Sequence, residues 1–223
     1  MARRLVVACG ALRPELEAAR AEIAAEGVEV DYLDQDLHRS PEKLKKTLRD
    51  YLDGVDPGYD TIVLGYGLCS NALDGITAPP AGLIIPRAHD CITLFLGARD
   101  RYDRAFHDQP GTYYLTPGWL ELNRDPLGIV ETDYAERVGY EEGLACMREE
   151  LAHYPRFALI DTGARPLESL MTRAEENARV FEKDLVIMSG DPAFFQRLLA
   201  GPADSGDFFQ VAGGERVRQT HFF

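Results

Sequence analysis

Short β-branched apolar runs that end in glycine, proline and cysteine constrain this chain more than any other feature. Residues 61–64 lead into Gly65-Tyr66-Gly67-Leu68-Cys69-Ser70-Asn71, and residues 83–85 lead into Pro86-Arg87-Ala88-His89-Asp90-Cys91. Residues 5–8 end in the same way, in Cys9-Gly10. Runs this short, apolar throughout and bounded by Gly or Pro, read as strands buried on both faces of a parallel sheet. Three of the four cysteines therefore follow the C-terminal ends of predicted strands. In an open parallel sheet that edge is where ligands bind.

The intervening sequence supplies the helices such a sheet needs. Pro14 suits a helix start, Leu16, Ala19, Ile23 and Ala24 recur at helical spacing, and Gly27 stops the run. Residues 28–33 form the next strand, whose exit reads Asp34-Gln35-Asp36-Leu37-His38. Ser40-Pro41-Glu42 is a strong helix start, with Leu44, Leu48, Tyr51 and Leu52 as its apolar face and Gly54 and Pro57-Gly58 as its end. The order β-α-β-α-β-x-β predicts a doubly wound, mainly parallel sheet. Further on, the pattern predicts helices over 91–102, 134–153, 166–183 and 194–199, and strands over 112–115, 157–160, 185–188 and 208–211. The polar stretch 123–132 is the expected boundary between two Rossmann-like lobes, 1–122 with the cysteines and 123–223.

Charge narrows the functional classes. A net charge of −13 over 223 residues argues against nucleic acid and against an anionic membrane surface. The apolar run after Arg3-Arg4 is too short for a signal peptide, and no run approaches the roughly 20 apolar residues of a spanning helix. The expected setting is the reducing cytoplasm, where four cysteines point to a metal or to reactive thiols rather than to disulfides.

Cys9, Cys69 and Cys91 at three strand exits are the candidate ligands of one soft metal, zinc or an iron–sulfur cluster. His89, two residues from Cys91, and His38, at the exit of the second strand, are the candidates to complete a Cys₃His shell. Gly65, Gly67 and Gly10 permit close backbone approach, and Tyr66 stands between two of them as a substrate or supporting residue. Arg87 could hold an anionic ligand group and Asp90 could orient a histidine. Asp161 and Asp191, at later strand ends, could face the thiols across a cleft or cap the helices that follow. Cys146, beside Met147 in a helix, reads as a core residue. No nucleotide-binding or hydrolase fingerprint is present.

Taken together, Cys9-Gly10, Leu37-His38-x-x-Pro41, Gly65-Tyr66-Gly67-Leu68-Cys69, Pro86-Arg87-x-His89-Asp90-Cys91, Leu96-Gly97 and Pro110-Gly111-Thr112-Tyr113-Tyr114…Pro117-Gly118-Trp119 resemble the domain-of-unknown-function family 1638, as does Asp161-Thr162-Gly163. The resemblance implies a cytoplasmic bacterial or archaeal protein associated with corrinoid-dependent methyl transfer. The expectation is a metal-binding protein that acts on a small molecule, as an enzyme or as an accessory with a corrinoid or methyltransferase protein partner. A [4Fe–4S] enzyme and a non-catalytic metal or cofactor carrier are the alternatives.

Overall fold

The computed structural model describes residues 3–23, 26–202 and 205–223. Ala24, expected on the first helix, lies outside them. The chain opens with strand β1 (Arg4–Cys9), helix α1 (Arg13–Ile23), β2 (Val28–Leu33) and α2 (Pro41–Asp53). It continues with β3 (Thr61–Gly65), β4 (Leu83–Pro86) and α3 (Cys91–Leu96). β1 lies between β2 and β3, parallel to both, with Cys9 level with Leu33 and Ala8 level with Gly65. β3 pairs in parallel with β4. These are the runs the sequence marks as strands, and β1, β3 and β4 are buried nearly throughout. α2 begins as its sequence dictates: Ser40 accepts from the Lys43 N–H and Pro41 fills the first turn. Leu44, Leu48 and Leu52 form its buried face.

The helix expected over 91–102 is two helices. Gly97 takes a left-handed φ of 84° and ends α3. A Cβ on Gly97 would lie 2.2 Å from that of Asp191, so no other residue fits. Helix α4 (Arg99–Asp108) then carries the chain into a second unit.

That unit contains β5 (Thr112–Leu115), α5 (Pro117–Glu121), α6 (Pro126–Ile129), α7 (Ala135–Val138), α8 (Tyr140–Glu150), β6 (Arg156–Asp161), α9 (Leu167–Phe181) and β7 (Asp184–Ser189). Its sheet is wholly parallel, in the order β5-β6-β7. It has a core of its own around Leu127, Val130, Met147, Phe157, Leu170 and Phe181. The single helix expected over 134–153 is divided: Val130–Tyr134 is a π-helical turn, and Gly139 (φ 92°) separates α7 from α8.

The chain then returns to the first unit with α10 (Pro192–Ala200) and β8 (Phe208–Val211). β8 runs antiparallel beside β4 and completes a five-stranded sheet in the order β2-β1-β3-β4-β8. α10 packs against α1. The architecture is therefore the expected doubly wound α/β fold with two mainly parallel sheets.

The compact units part elsewhere than at residue 122. One is Met1–Arg101 with Asp191–Phe223, and the other is Tyr102–Gly190. Strand pairing is the reason: β5 joins β6, and β8 joins β4. The polar stretch 123–132 is no linker either. Asp125 is fully buried and caps α6 by accepting from the Gly128 N–H at 3.1 Å. It also accepts from Asn177 Nδ2 at 2.6 Å and lies 3.2 Å from Arg173. Composition alone does not distinguish a solvated boundary from a buried polar hub whose groups satisfy one another.

Candidate functional site

Adjacency of β1, β3 and β4 gathers the three cysteines, and two glycines make the gathering close. A Cβ on Gly65 would lie 2.8 Å from that of Ala8, so only glycine lets the exits of β1 and β3 run this near. A Cβ on Gly67 would lie 2.8 Å from the Asp90 nitrogen and 2.9 Å from the Ala88 oxygen. Beyond their strands the exits of β3 and β4 stay tied: the Leu68 N–H donates to the Ala88 carbonyl at 2.8 Å and the Cys69 N–H to the His89 carbonyl at 2.9 Å. Cys91 then opens α3, whose first turn is capped by Asp90 accepting from the Ile92 and Thr93 N–H groups.

Cys69, Ser70 and Asn71 all occupy the left-handed region, with φ of 48°, 55° and 66°. The turn is closed by the Ala72 N–H donating to the Cys69 carbonyl at 3.1 Å. Three successive non-glycine residues there are costly, at about 1–2 kcal/mol each for ordinary side chains. Such strain is characteristic of functional segments.

The thiols are buried, with Cys9 2% exposed and Cys69 and Cys91 8% each. Cys9 acts electrostatically on Cys69 and Cys91, and Cys69 acts on Cys91. Burial raises Cys69 first, followed by Cys9 and Asp90. Burial likewise raises Cys91, followed by Asp90, Cys69 and Cys9. Cys9 is pushed up to about 12, chiefly by burial, with Asp34 adding to it and a backbone hydrogen bond at Ala11 opposing it. The charged side chains acting on the cluster are thus acidic, and as free thiols the three stay protonated. A soft cation is the partner that would stabilise their thiolates, and thiolate is the form that ligates. Among the described residues no three His, Cys, Asp or Glu side chains are placed so as to hold a metal ion as they stand. Sulfurs sharing one zinc sit roughly 4 Å apart.

His38 stands in a 3-10 turn, Gln35–Arg39, which Asp34 caps by accepting from the Asp36 N–H at 2.9 Å. Its Nδ1 is 4.0 Å from Cys9 Sγ. Burial lowers its pKa, favouring the neutral imidazole. Its ring stacks on Tyr66, with centroids 5.9 Å apart and planes 16° from parallel. Tyr66 is 1% exposed. Burial holds its hydroxyl proton well above the usual range, with Cys9, Cys69 and Asp34 adding to the effect. Among the described residues neither the Tyr66 hydroxyl nor His38 Nε2 has a hydrogen-bond partner, and the same holds for Gln35 Oε1.

The other expected residues have structural work. The His89 ring packs on Phe223 at 4.9 Å, and its carbonyl holds Cys69. Arg87 donates to the Ser205 carbonyl at 3.1 Å and to the His221 carbonyl at 2.5 Å, and lies over the Phe209 ring. Asp90 caps α3. Asp191 caps α10, accepting from the Ala193 N–H at 3.0 Å, and belongs to the unit of the cysteines. Asp161 belongs to the other unit, where its side chain accepts from the Gly163 N–H at 2.9 Å. Cys146, expected in the core, is exposed. α8 buries Gly143, Leu144 and Met147, and two residues on from Leu144 turns Cys146 away from that face. Sequence reasoning assigned no role to Asp34, Gln35 or the left-handed turn. Only the positions of Asp34 and Gln35 at the exit of β2 pointed toward the site.

Fold and site together define an open doubly wound α/β protein with a buried cluster of thiols at the C-terminal edge of its parallel strands. The chain belongs to the family described as Protein of unknown function (DUF1638), whose model matches residues 32–199. That span includes His38, Tyr66, Cys69 and Cys91 and begins beyond Cys9. Neither the curated proteins nor the solved structures contain a match to the chain. Among the described residues no helix is long and apolar enough to cross a membrane.

Proposed function

We propose that this is a cytoplasmic metal-binding protein of corrinoid or one-carbon methyl transfer, an enzyme or an accessory to one, with Cys9, Cys69 and Cys91 as the thiolate ligands. The observation that carries the metal is the cluster itself: three buried thiols, on the exits of three adjacent strands, with Cys9 acting on the other two, Cys69 acting on Cys91, and acidic groups beside them. Methyl transfer comes from the family resemblance. A zinc held by thiolates would supply Lewis acidity that activates a substrate thiol for alkylation. In this reading Gly65 and Gly67 bring the ligand-bearing segments together, and Asp90 fixes the start of α3 so that Cys91 faces the cluster. His38 either lies beside the Cys9 sulfur or takes the fourth position.

A [4Fe–4S] cluster is the second reading, because three cysteines leave one iron of a cubane without a protein thiolate. Anaerobic purification followed by elemental analysis and a visible spectrum separates the two. One colourless zinc per chain supports the first, and brown protein with iron and sulfide supports the second. Absence of metal, or metal content unchanged in Cys9→Ser, Cys69→Ser and Cys91→Ser, sinks both. His38→Ala reports on the shell. Retained metal favours an open, catalytic position, and lost metal favours a closed, carrier-like site.

A further inference from the structure

We propose that Tyr66 and His38 form the polar wall of the fourth, open position and bind there the hydroxyl group of a small neutral ligand, an alcohol. The inference rests on the metal reading of the same site. Its own observation is a pair of polar atoms without a partner among the described residues, the Tyr66 hydroxyl and His38 Nε2.

A buried hydroxyl left without a partner costs about 1–3 kcal/mol, and the large majority of buried polar groups are satisfied. Phenylalanine would fill the space of the Tyr66 ring without that cost. The hydroxyl is therefore best explained by a partner that is not part of the chain. Its surroundings indicate where that partner lies. Tyr66 is within electrostatic reach of Cys9 and Cys69, and His38 Nδ1 is 4.0 Å from the Cys9 sulfur. The stacked rings thus stand beside the Cys9 sulfur.

The chemistry of the partner follows from the groups present. A tyrosine hydroxyl carries its proton at neutral pH and can donate it. Beside a Cys9 thiolate, a neutral His38 carries its proton on Nδ1, which faces the sulfur at 4.0 Å, so its Nε2 is an acceptor. A donor and an acceptor side by side call for a hydroxyl group, which accepts from the one and donates to the other. The charges nearby are those of Asp34 and Asp90, and three thiolates around a divalent ion leave a further negative charge. A carboxylate or phosphate would be repelled, so a neutral hydroxyl fits best.

The experiment loads the full chain with Co²⁺ and titrates it with 2-mercaptoethanol and with ethanethiol, following the visible and near-ultraviolet bands of the cobalt. The two thiols differ in one hydroxyl group, and each loses its thiol proton to buffer on binding. Wild type is expected to bind 2-mercaptoethanol roughly fivefold more tightly, the worth of one ordinary hydrogen bond. Tyr66→Phe should load cobalt equally and lose that preference, and His38→Gln should reduce it. Cobalt uptake without the preference overturns this inference and leaves the metal reading standing, whereas failure of wild type to take up cobalt overturns the metal reading and this one with it. Retention of the preference in Tyr66→Phe overturns it too. So does a Tyr66→Phe variant that fails to fold or melts several degrees lower without metal, because the hydroxyl would then have an internal role.

Discussion

Four cysteines in one chain are chemically four different environments. Cys146 is exposed on α8, while Cys9, Cys69 and Cys91 are buried and their pKa values are raised by burial. Thiol reagents attack the thiolate and need access. In the native protein one thiol should therefore react quickly with a disulfide reagent and three slowly, with all four reacting after denaturation. A count of more than one fast thiol would contradict the burial. Ser70 offers a second test at this scale. It is exposed, at φ 55°, between two other left-handed residues. Ser70→Gly removes a side-chain penalty of about 1–2 kcal/mol against about 0.5–1 kcal/mol of added chain entropy. A gain of about 0.5–1 kcal/mol in urea unfolding is expected, and a loss would mean that the hydroxyl supports the turn.

Among the elements, the site depends on the exits of β3 and β4 more than on the strands themselves. Their formal pairing is a single register pair, Val63 with Ile84. The bonds Leu68 to Ala88 and Cys69 to His89 extend it toward the cysteines. Gly67 is the contact on which this depends, because the atoms a Cβ would meet are main chain and cannot turn away. Gly67→Ala should cost about 1–3 kcal/mol, in the range of an overpacked core site. It should also lower metal content. Gly54→Ala, where a Cβ would meet nothing closer than 3.6 Å, serves as the control and should cost far less. Equal effects of the two substitutions would remove Gly67 from the argument.

At the scale of the whole molecule, the chain enters one unit, builds another and comes back. Tyr102–Gly190 is continuous and has its own parallel sheet and core. Expressed alone, residues 102–190 should unfold cooperatively. Residues 1–101 alone should not, since they lack β8, which covers the edge of β4, and α10, which packs on α1 and buries Phe194, Phe195, Leu198 and Leu199. Circular dichroism with urea titration of the two fragments tests this, and a cooperatively folding 1–101 would show the returning segment to be dispensable.

The sequence by itself determined what is local. Strands of four to six residues announced themselves by β-branched runs, and α2 by Ser40-Pro41 and its leucines, because caps and periodicity act over a few neighbouring residues. It also placed Cys9, Cys69 and Cys91 at strand exits, since each follows its own apolar run. Tertiary structure decided what depends on partners distant in the chain. It paired β8 with β4 and so moved the unit boundary away from residue 122. It buried Asp125 among Arg173 and Asn177, where composition suggested a linker. It set the His89 ring against Phe223 and brought His38 beside Cys9. Gly97 and Gly139 ended helices that the apolar spacing would have continued, one for lack of room beside Asp191 and both through positive φ. Helical and strand periods report which face of an element is apolar. They carry no information about which element, from another part of the chain, that face or edge will meet.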